Sequence, residues 1–314
     1  MQIKSKTTFN ILLLSFVFSL CAQAENITLL KERSEKGDVQ AQFELASEYH
    51  KDKKYKAAFK WLSKASNSGH SKAQLNLSSL YFNGEGVSKN IDEAINWLVK
   101  SGEQGVREAQ VHLNLLYHRG VETPRDFKKA AYWAEKAAKQ GHLESQYILA
   151  VYYDAGNGVK QSDNSSTNWF KKAAEQGHIQ AQTRVGMAYQ HGIGIEQSEE
   201  KSIKWYTKAA ESGDSYAQSL IIIAYENSFK KDKLKSKYWS KQVAASGNID
   251  AMFMLSQYYF SIESDYGFEH SYIWAHLMIE NGAKAQKLIM RLTKRLSAES
   301  IERAVKKAKE LTTG

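Results

Sequence analysis

Eight glycines, at positions 37, 69, 105, 141, 177, 213, 247 and 282, stand 32, 36, 36, 36, 36, 34 and 35 residues apart. A period of this size restricts a chain to a row of stacked supersecondary units, none of which can bury its apolar face alone. Within each period the residue types recur in register. Four residues after the glycine come Ala41, Ala73, Ala109, Ser145, Ala181, Ala217 and Ala251. Four further on come Leu45, Leu77, Leu113, Leu149, Val185, Ile221 and Leu255, and after four more Tyr49, Tyr81, Tyr117, Tyr153, Tyr189, Tyr225 and Tyr259. Steps of four stay on one helical face, so each unit opens with a helix that is small at one end and aromatic at the other.

A second helix is marked by tryptophan. All seven tryptophans of the chain (Trp61, Trp97, Trp133, Trp169, Trp205, Trp239 and Trp274) stand eight residues before a repeat glycine. Three residues earlier there is always Ala or Ser: Ala58, Ala94, Ala130, Ser166, Ser202, Ser236 and Ser271. Small partners let the indole lie against a neighbouring helix, and the closing glycine stops the helix in a left-handed conformation. Between the two helices stand Gly84-Glu85-Gly86-Val87, Gly156-Asn157-Gly158-Val159 and Gly192-Ile193-Gly194-Ile195. A phosphate cradle would follow a strand. These loops follow a helix, and read as tight turns with Val or Ile entering the core.

The expected organisation is seven helix-turn-helix repeats over 37–282, divided as 37–68, 69–104, 105–140, 141–176, 177–212, 213–246 and 247–282. The first lacks the glycine turn, as do the sixth, with Asn227-Ser228-Phe229, and the seventh, with Ser261 to Phe268. End units of such arrays are often atypical because one side faces solvent. Residues 25–36 read as an N-terminal capping helix. Residues 283–314 read as two basic capping helices, split near Ser297. The fold class is therefore all-α, an α-α solenoid.

Residues 1–24 have the layout of a secretory leader: Lys4 and Lys6, an apolar run from Ile11 to Leu20, then Ala22-Gln23-Ala24 as a cleavage site. The rival reading is a lipid anchor on Cys21, for which Leu20 is an unsuitable neighbour. Cys21 is the only cysteine, so the mature chain has no disulfide and no thiolate chemistry. Export to the periplasm, or beyond it, is the expectation, with no transmembrane segment in the mature chain.

Charge is concentrated at one end. The chain carries 43 Lys+Arg against 34 Asp+Glu. Between Lys284 and Leu311 there are nine basic and three acidic residues. The repeats are near neutral, which argues against a nucleic-acid groove. The segment 284–309 reads as a solvated cap face, with contact to an anionic surface as its functional alternative.

The recurrent residues resemble the Sel-1-like repeat family, relatives of the tetratricopeptide repeats. Its pattern is clearest at Ala181, Val185-Gly186, Tyr189, Gly192, Gly194-Ile195, Trp205-Tyr206, Lys208-Ala209-Ala210 and Gly213. The resemblance implies a right-handed superhelical solenoid that binds other proteins, and bacterial members that are exported adaptors, regulators or inhibitors.

No catalytic, cofactor or metal constellation is legible. His70, His142 and His178 each follow a repeat glycine and so recur as a turn position rather than converge. No nucleophile elbow or H-E-x-x-H is present. The candidate partner-binding residues are those expected to line the concave face. Ten residues after the glycines lie Leu115, Val151, Met187 and Ile223, with polar Ser47, Ser79 and Gln257 at the ends. Val111 and Tyr147 stand beside them, and His118, Asp154, Gln190 and Glu226 form a polar rim with Arg119 and His191. An apolar strip with a polar rim is the layout of an interface core. These residues point to an exported, non-catalytic scaffold or regulator for one or more proteins, without cofactor. An immunity protein that neutralises a delivered toxin is the alternative, and an envelope hydrolase a third reading.

Overall fold

A computed structural model of the chain describes residues 27–227 and 232–313; the leader assigned to 1–24 and Ser228-Phe229 lie outside them. Every regular element among the described residues is a helix. After α1 (27–35) come α2 (Val39–Lys51), α3 (Tyr55–Asn67), α4 (Ser71–Asn83), α5 (Ile91–Glu103), α6 (Arg107–Arg119) and α7 (Phe127–Lys139). Then follow α8 (Leu143–Ala155), α9 (Asp163–Glu175), α10 (Ile179–His191), α11 (Glu199–Glu211), α12 (Ser215–Asn227) and α13 (Lys233–Ser246). The last are α14 (Ile249–Phe260), α15 (Asp265–Glu280), α16 (Gln286–Thr293) and α17 (Ala298–Thr312).

The helices form two compact units. One is the chain through Ser145 with Asn157–Val159, and the other is Gln146–Gly156 with the chain from Lys160. In the first unit α2 pairs with α3, α4 with α5 and α6 with α7, and each hairpin packs on the next. In the second, α10 pairs with α11, α12 with α13 and α14 with α15. The capping helices α16 and α17 close this unit by packing on α15. Ser297 starts α17 as its N-cap, where the split was expected.

The repeat positions explain the packing. The small and aliphatic positions of the first helices are buried throughout, Ala41 and Leu45 in α2 or Ala181 and Val185 in α10. The tryptophans divide. Trp61, Trp133, Trp239 and Trp274 are buried, whereas Trp97, Trp169 and Trp205 are half-buried. Over those three lies the ammonium of the lysine three residues on: Lys100 4.0 Å from the Trp97 ring, Lys172 3.9 Å from Trp169 and Lys208 4.5 Å from Trp205. A cation over an indole face shields it while keeping its charge in water. The residue after the tryptophan is the deeper one. Leu62, Leu98, Ala134, Phe170 and Tyr206 are all buried, whatever their size.

The recurrent histidines are helix caps. Nδ1 of His70 accepts from the Ala73 amide at 3.0 Å, and Nδ1 of His178 from the Ala181 amide at 3.3 Å. Asp38 and Asn248 cap their helices from the same repeat position. An imidazole can accept there only while that nitrogen is unprotonated. Burial holds the His70 and His142 imidazoles below their usual range, which favours this state.

A ladder of amides joins hairpin to hairpin. In the first six repeats the residue five after the glycine is a buried glutamine, and its Nε2 donates to the end of the preceding helix: Gln74 to Ser66 O, Gln110 to Gly102 O and Gln218 to Ala210 O. Its Oε1 accepts from the amide that ends its own hairpin, from Gln104 at 2.7 Å for Gln74 and from Gln140 at 2.8 Å for Gln110. For Gln218 the donor is Asn248, at the start of the following repeat. Two rungs are broken. Gln42 Oε1 and Gln182 Oε1 are buried without a hydrogen-bond partner, and the residue before the corresponding closing glycine is Ser68 or Ser212, not glutamine. An unsatisfied buried carbonyl costs about 1–3 kcal/mol. Ser212→Gln is therefore expected to raise stability by about 1 kcal/mol, a rise of about 2–4 °C in melting temperature by calorimetry. No rise would mean that the added side chain stays in solvent.

Candidate functional site

Positions ten residues after the repeat glycines are neither core nor open. Ser47, Ser79 and Leu115 in the first unit, and Val151, Met187 and Ile223 in the second, are all half-buried, while Gln257 is exposed. Each lies two residues beyond a buried aliphatic, so it points away from the stripe that packs the hairpin.

In the first unit Leu115 and Arg119, one helical turn apart on α6, line a cleft of about 340 Å³. Phe82, Leu98 and Leu116 supply apolar wall, and His112, Val121 and Glu122 complete it. Val121, in the loop after α6, is 81% exposed. Apolar surface left open beside an arginine is a feature of protein-binding patches. Val111 is half-buried on the same helix, and the exposed His118 sets its ring edge-on to Phe127 at 5.7 Å.

In the second unit the expected residues serve mixed purposes. Tyr147 stacks on His178 at 4.2 Å and touches Phe170 at 5.5 Å. Met187 and Ile223 pack against the unit's apolar core. Gln190 is used inside the fold: its Oε1 accepts from the Tyr206 hydroxyl at 2.6 Å, a phenol whose pKa burial pushes up. Val151 and Asp154 are half-buried, and the Asp154 carbonyl accepts from Gln161 in the following loop. His191 is exposed at the end of α10.

Glu226 belongs to a second and larger cavity, of about 830 Å³, between the last hairpins and α17. Its Oε1 accepts from Ser236 Oγ at 3.0 Å and its Oε2 from the Tyr259 hydroxyl. Tyr266 lies against His270 with ring centroids 4.0 Å apart, and Tyr259 is 5.1 Å from the same imidazole. Burial, and then the Glu226 charge, push the Tyr266 phenol up to about 12. Burial pushes His270 down. At the far wall Glu269 takes Lys307 at 2.7 Å and Arg303 at 3.2 Å. Two of the basic residues of the C-terminal segment are thus ion-paired within the fold. Arg295, another, lies 4.9 Å over the Phe268 ring. Tyr258, Tyr266, Glu269 and His270 were not among the sequence candidates. The signal available was weak: an unpaired run of aromatics, Tyr258-Tyr259-Phe260, followed by Tyr266 where other repeats have their turn. Among the described residues no group of three or more His, Cys, Asp or Glu could hold a metal ion, and no helix is long and apolar enough to cross a membrane.

The Sel1 repeat model matches five consecutive segments of the chain, 39–70, 71–106, 107–142, 143–178 and 179–214. The chain belongs to the Sel1 repeat family. Its matched repeats begin two residues after the glycines used to divide it above, and they precede the hairpins α12–α13 and α14–α15. Among solved structures it is similar to a protective antigen present in uropathogenic Escherichia coli strains that displays the same repeat fold. That match has 29% identity and a TM-score of 0.65, covering 82% of this chain and 57% of the antigen. A Sel1 repeat protein from Oxalobacter formigenes is 30% identical with a TM-score of 0.58, covering 86% of this chain and 80% of that one. No curated protein matches this Sel1 repeat chain. Sel1 repeat proteins are generally protein-interaction scaffolds.

Proposed function

We propose that this Sel1 repeat protein is an exported, non-catalytic scaffold or regulator that binds one or more partner proteins through the half-exposed rows on its first helices. The observation that carries this reading is the cleft at Leu115, Arg119 and Val121, where apolar side chains stand open to solvent around a guanidinium. Fully desolvated apolar anchors beside an arginine make most of the affinity in protein interfaces. The leader-like residues 1–24 support export, and the family supports protein rather than small-molecule partners.

Leu115→Asp tests it. The side chain is half-exposed, so the melting curve should move by no more than a few degrees, while a charge in the centre of the interface should weaken partner binding at least about tenfold. A photo-crosslinking residue at position 112, on the rim of the cleft, should give a specific adduct in envelope extract that Leu115→Asp abolishes. An adduct that survives this change in a folded protein refutes the assignment of the cleft.

A further inference from the structure

The cavity in the second unit has a chemistry distinct from that of the cleft. Its lining carries as many basic as acidic side chains, Lys233, Lys237, Arg303 and Lys307 beside Glu226, Asp265, Glu269 and Glu310, but they are unequally paired. Glu269 is neutralised by Lys307 and Arg303, and Arg303 is shared in turn with Glu299 at 3.0 Å. Among the described residues Glu226 meets hydroxyls alone, bonded to Ser236 and Tyr259 with Tyr266 beside them, and no lysine or arginine pairs with it. Those two bonds fix the carboxylate's orientation and leave lone pairs free, since a carboxylate offers about four acceptor sites. Around it stand tyrosines. Tyr258 is half-buried, its hydroxyl accepting from Asn227 at 2.7 Å, and Tyr266 is 52% exposed. A fixed carboxylate beside accessible aromatic rings attracts a cation twice over, by charge and by the negative ring faces. Trp274 and Ile262 add apolar wall. At about 830 Å³ the space exceeds what one side chain fills and lies within the range of ligand sites, about 300–1,000 Å³.

We infer that this cavity receives a lysine or arginine side chain carried on an extended segment of a partner protein, with Glu226 as its counter-ion and Tyr258 and Tyr266 as its walls. The inference rests on the protein-binding reading for the kind of occupant, and on the cavity alone for the cation.

The test is a titration of the protein, with isotopically labelled tyrosine and tryptophan, against capped Ala-Ala-Lys-Ala-Ala. The same peptide with norleucine or glutamate at the centre, and Nα-acetyl-lysine amide, are the comparison probes. The lysine peptide should shift the signals of Tyr258, Tyr266 and Trp274, and bind about tenfold tighter than the norleucine peptide. Glu226→Gln keeps the shape and an acceptor for one of the two hydroxyls, turns the other contact into an amide donating to a hydroxyl oxygen, and should remove that advantage. Tyr266→Leu, at a half-exposed ring, should weaken the lysine peptide several-fold without altering the melting curve. Leu115→Asp should leave peptide binding intact, so loss of the cleft and loss of the cavity are separately visible. Equal binding of the lysine and norleucine peptides, tighter binding of the glutamate peptide, or unmoved tyrosine signals would each overturn the cation site. Nα-acetyl-lysine amide binding as tightly as the peptide would overturn the partner segment in favour of a small amine.

Discussion

Gly194→Ala is expected to cost about 2–5 kcal/mol, the sum of a left-handed backbone penalty and an overpacking clash. Gly194 has φ +62°, and a Cβ placed there would lie 2.2 Å from the carbonyl oxygen of Asp163, at the start of the preceding unit's second helix. The obstacle is backbone, which cannot swing aside as a side chain can. Gly177 is the control. Its φ is +96° but nothing lies within 4 Å of its would-be Cβ, so Gly177→Ala should show the conformational cost alone, about 1–2 kcal/mol. Urea unfolding of the two variants separates the terms. Equal losses would mean that the 192–195 loop can lift away from α9, and that close approach is not what the second turn glycine is for.

Trp133→Ala comes next, at about 3–5 kcal/mol for a buried large-to-small change. The indole is 4% exposed and fills the space made by Gly102, where a Cβ would sit 2.9 Å from the ring. Trp169→Ala should cost distinctly less, about 1–2 kcal/mol, because that ring is half-buried and part of its shield is the solvated Lys172. Denaturant melts of the pair give the comparison. A Trp133→Ala melt like that of the unaltered protein would contradict its placement in the core.

These cases show what could be read from sequence and what could not. The hairpin was legible because its markers vary little: glycine, then a small residue, an aliphatic and tyrosine on one helical face. The deeper half of the Trp61-Leu62 or Trp205-Tyr206 pair was not, because the core position changes type from repeat to repeat while the less buried indole is constant. Gln74 and Gln110 escaped notice for another reason. A polar residue beside a buried alanine reads as surface, and only the neighbouring hairpin reveals that its amide is spoken for. The second turn glycines were read as loop geometry, although the constraint on Gly194 comes from Asp163, thirty-one residues earlier in the chain. Of the candidate binding residues, Leu115 and Arg119 line one cleft. Gln190 turns inward to Tyr206, a contact no helical wheel could foretell. The cavity at Glu226 is built where the repeat pattern lapses, from α15 and the cap, so periodicity offered no guide to it.

The broken rungs at Ser68 and Ser212 bear on how the molecule comes apart. Where glutamine meets glutamine, the bond ties the two helices of one hairpin at their open end, so the last turn of the second helix should hold its amide protons as long as the first helix does. In the hairpins that end at Ser68 and Ser212 that tie is missing. The last turns of α3 and α11 should therefore exchange their amide protons sooner than those of α5, α7 and α9, while α2 and α10 keep their hold on the preceding helix through Gln42 and Gln182 Nε2.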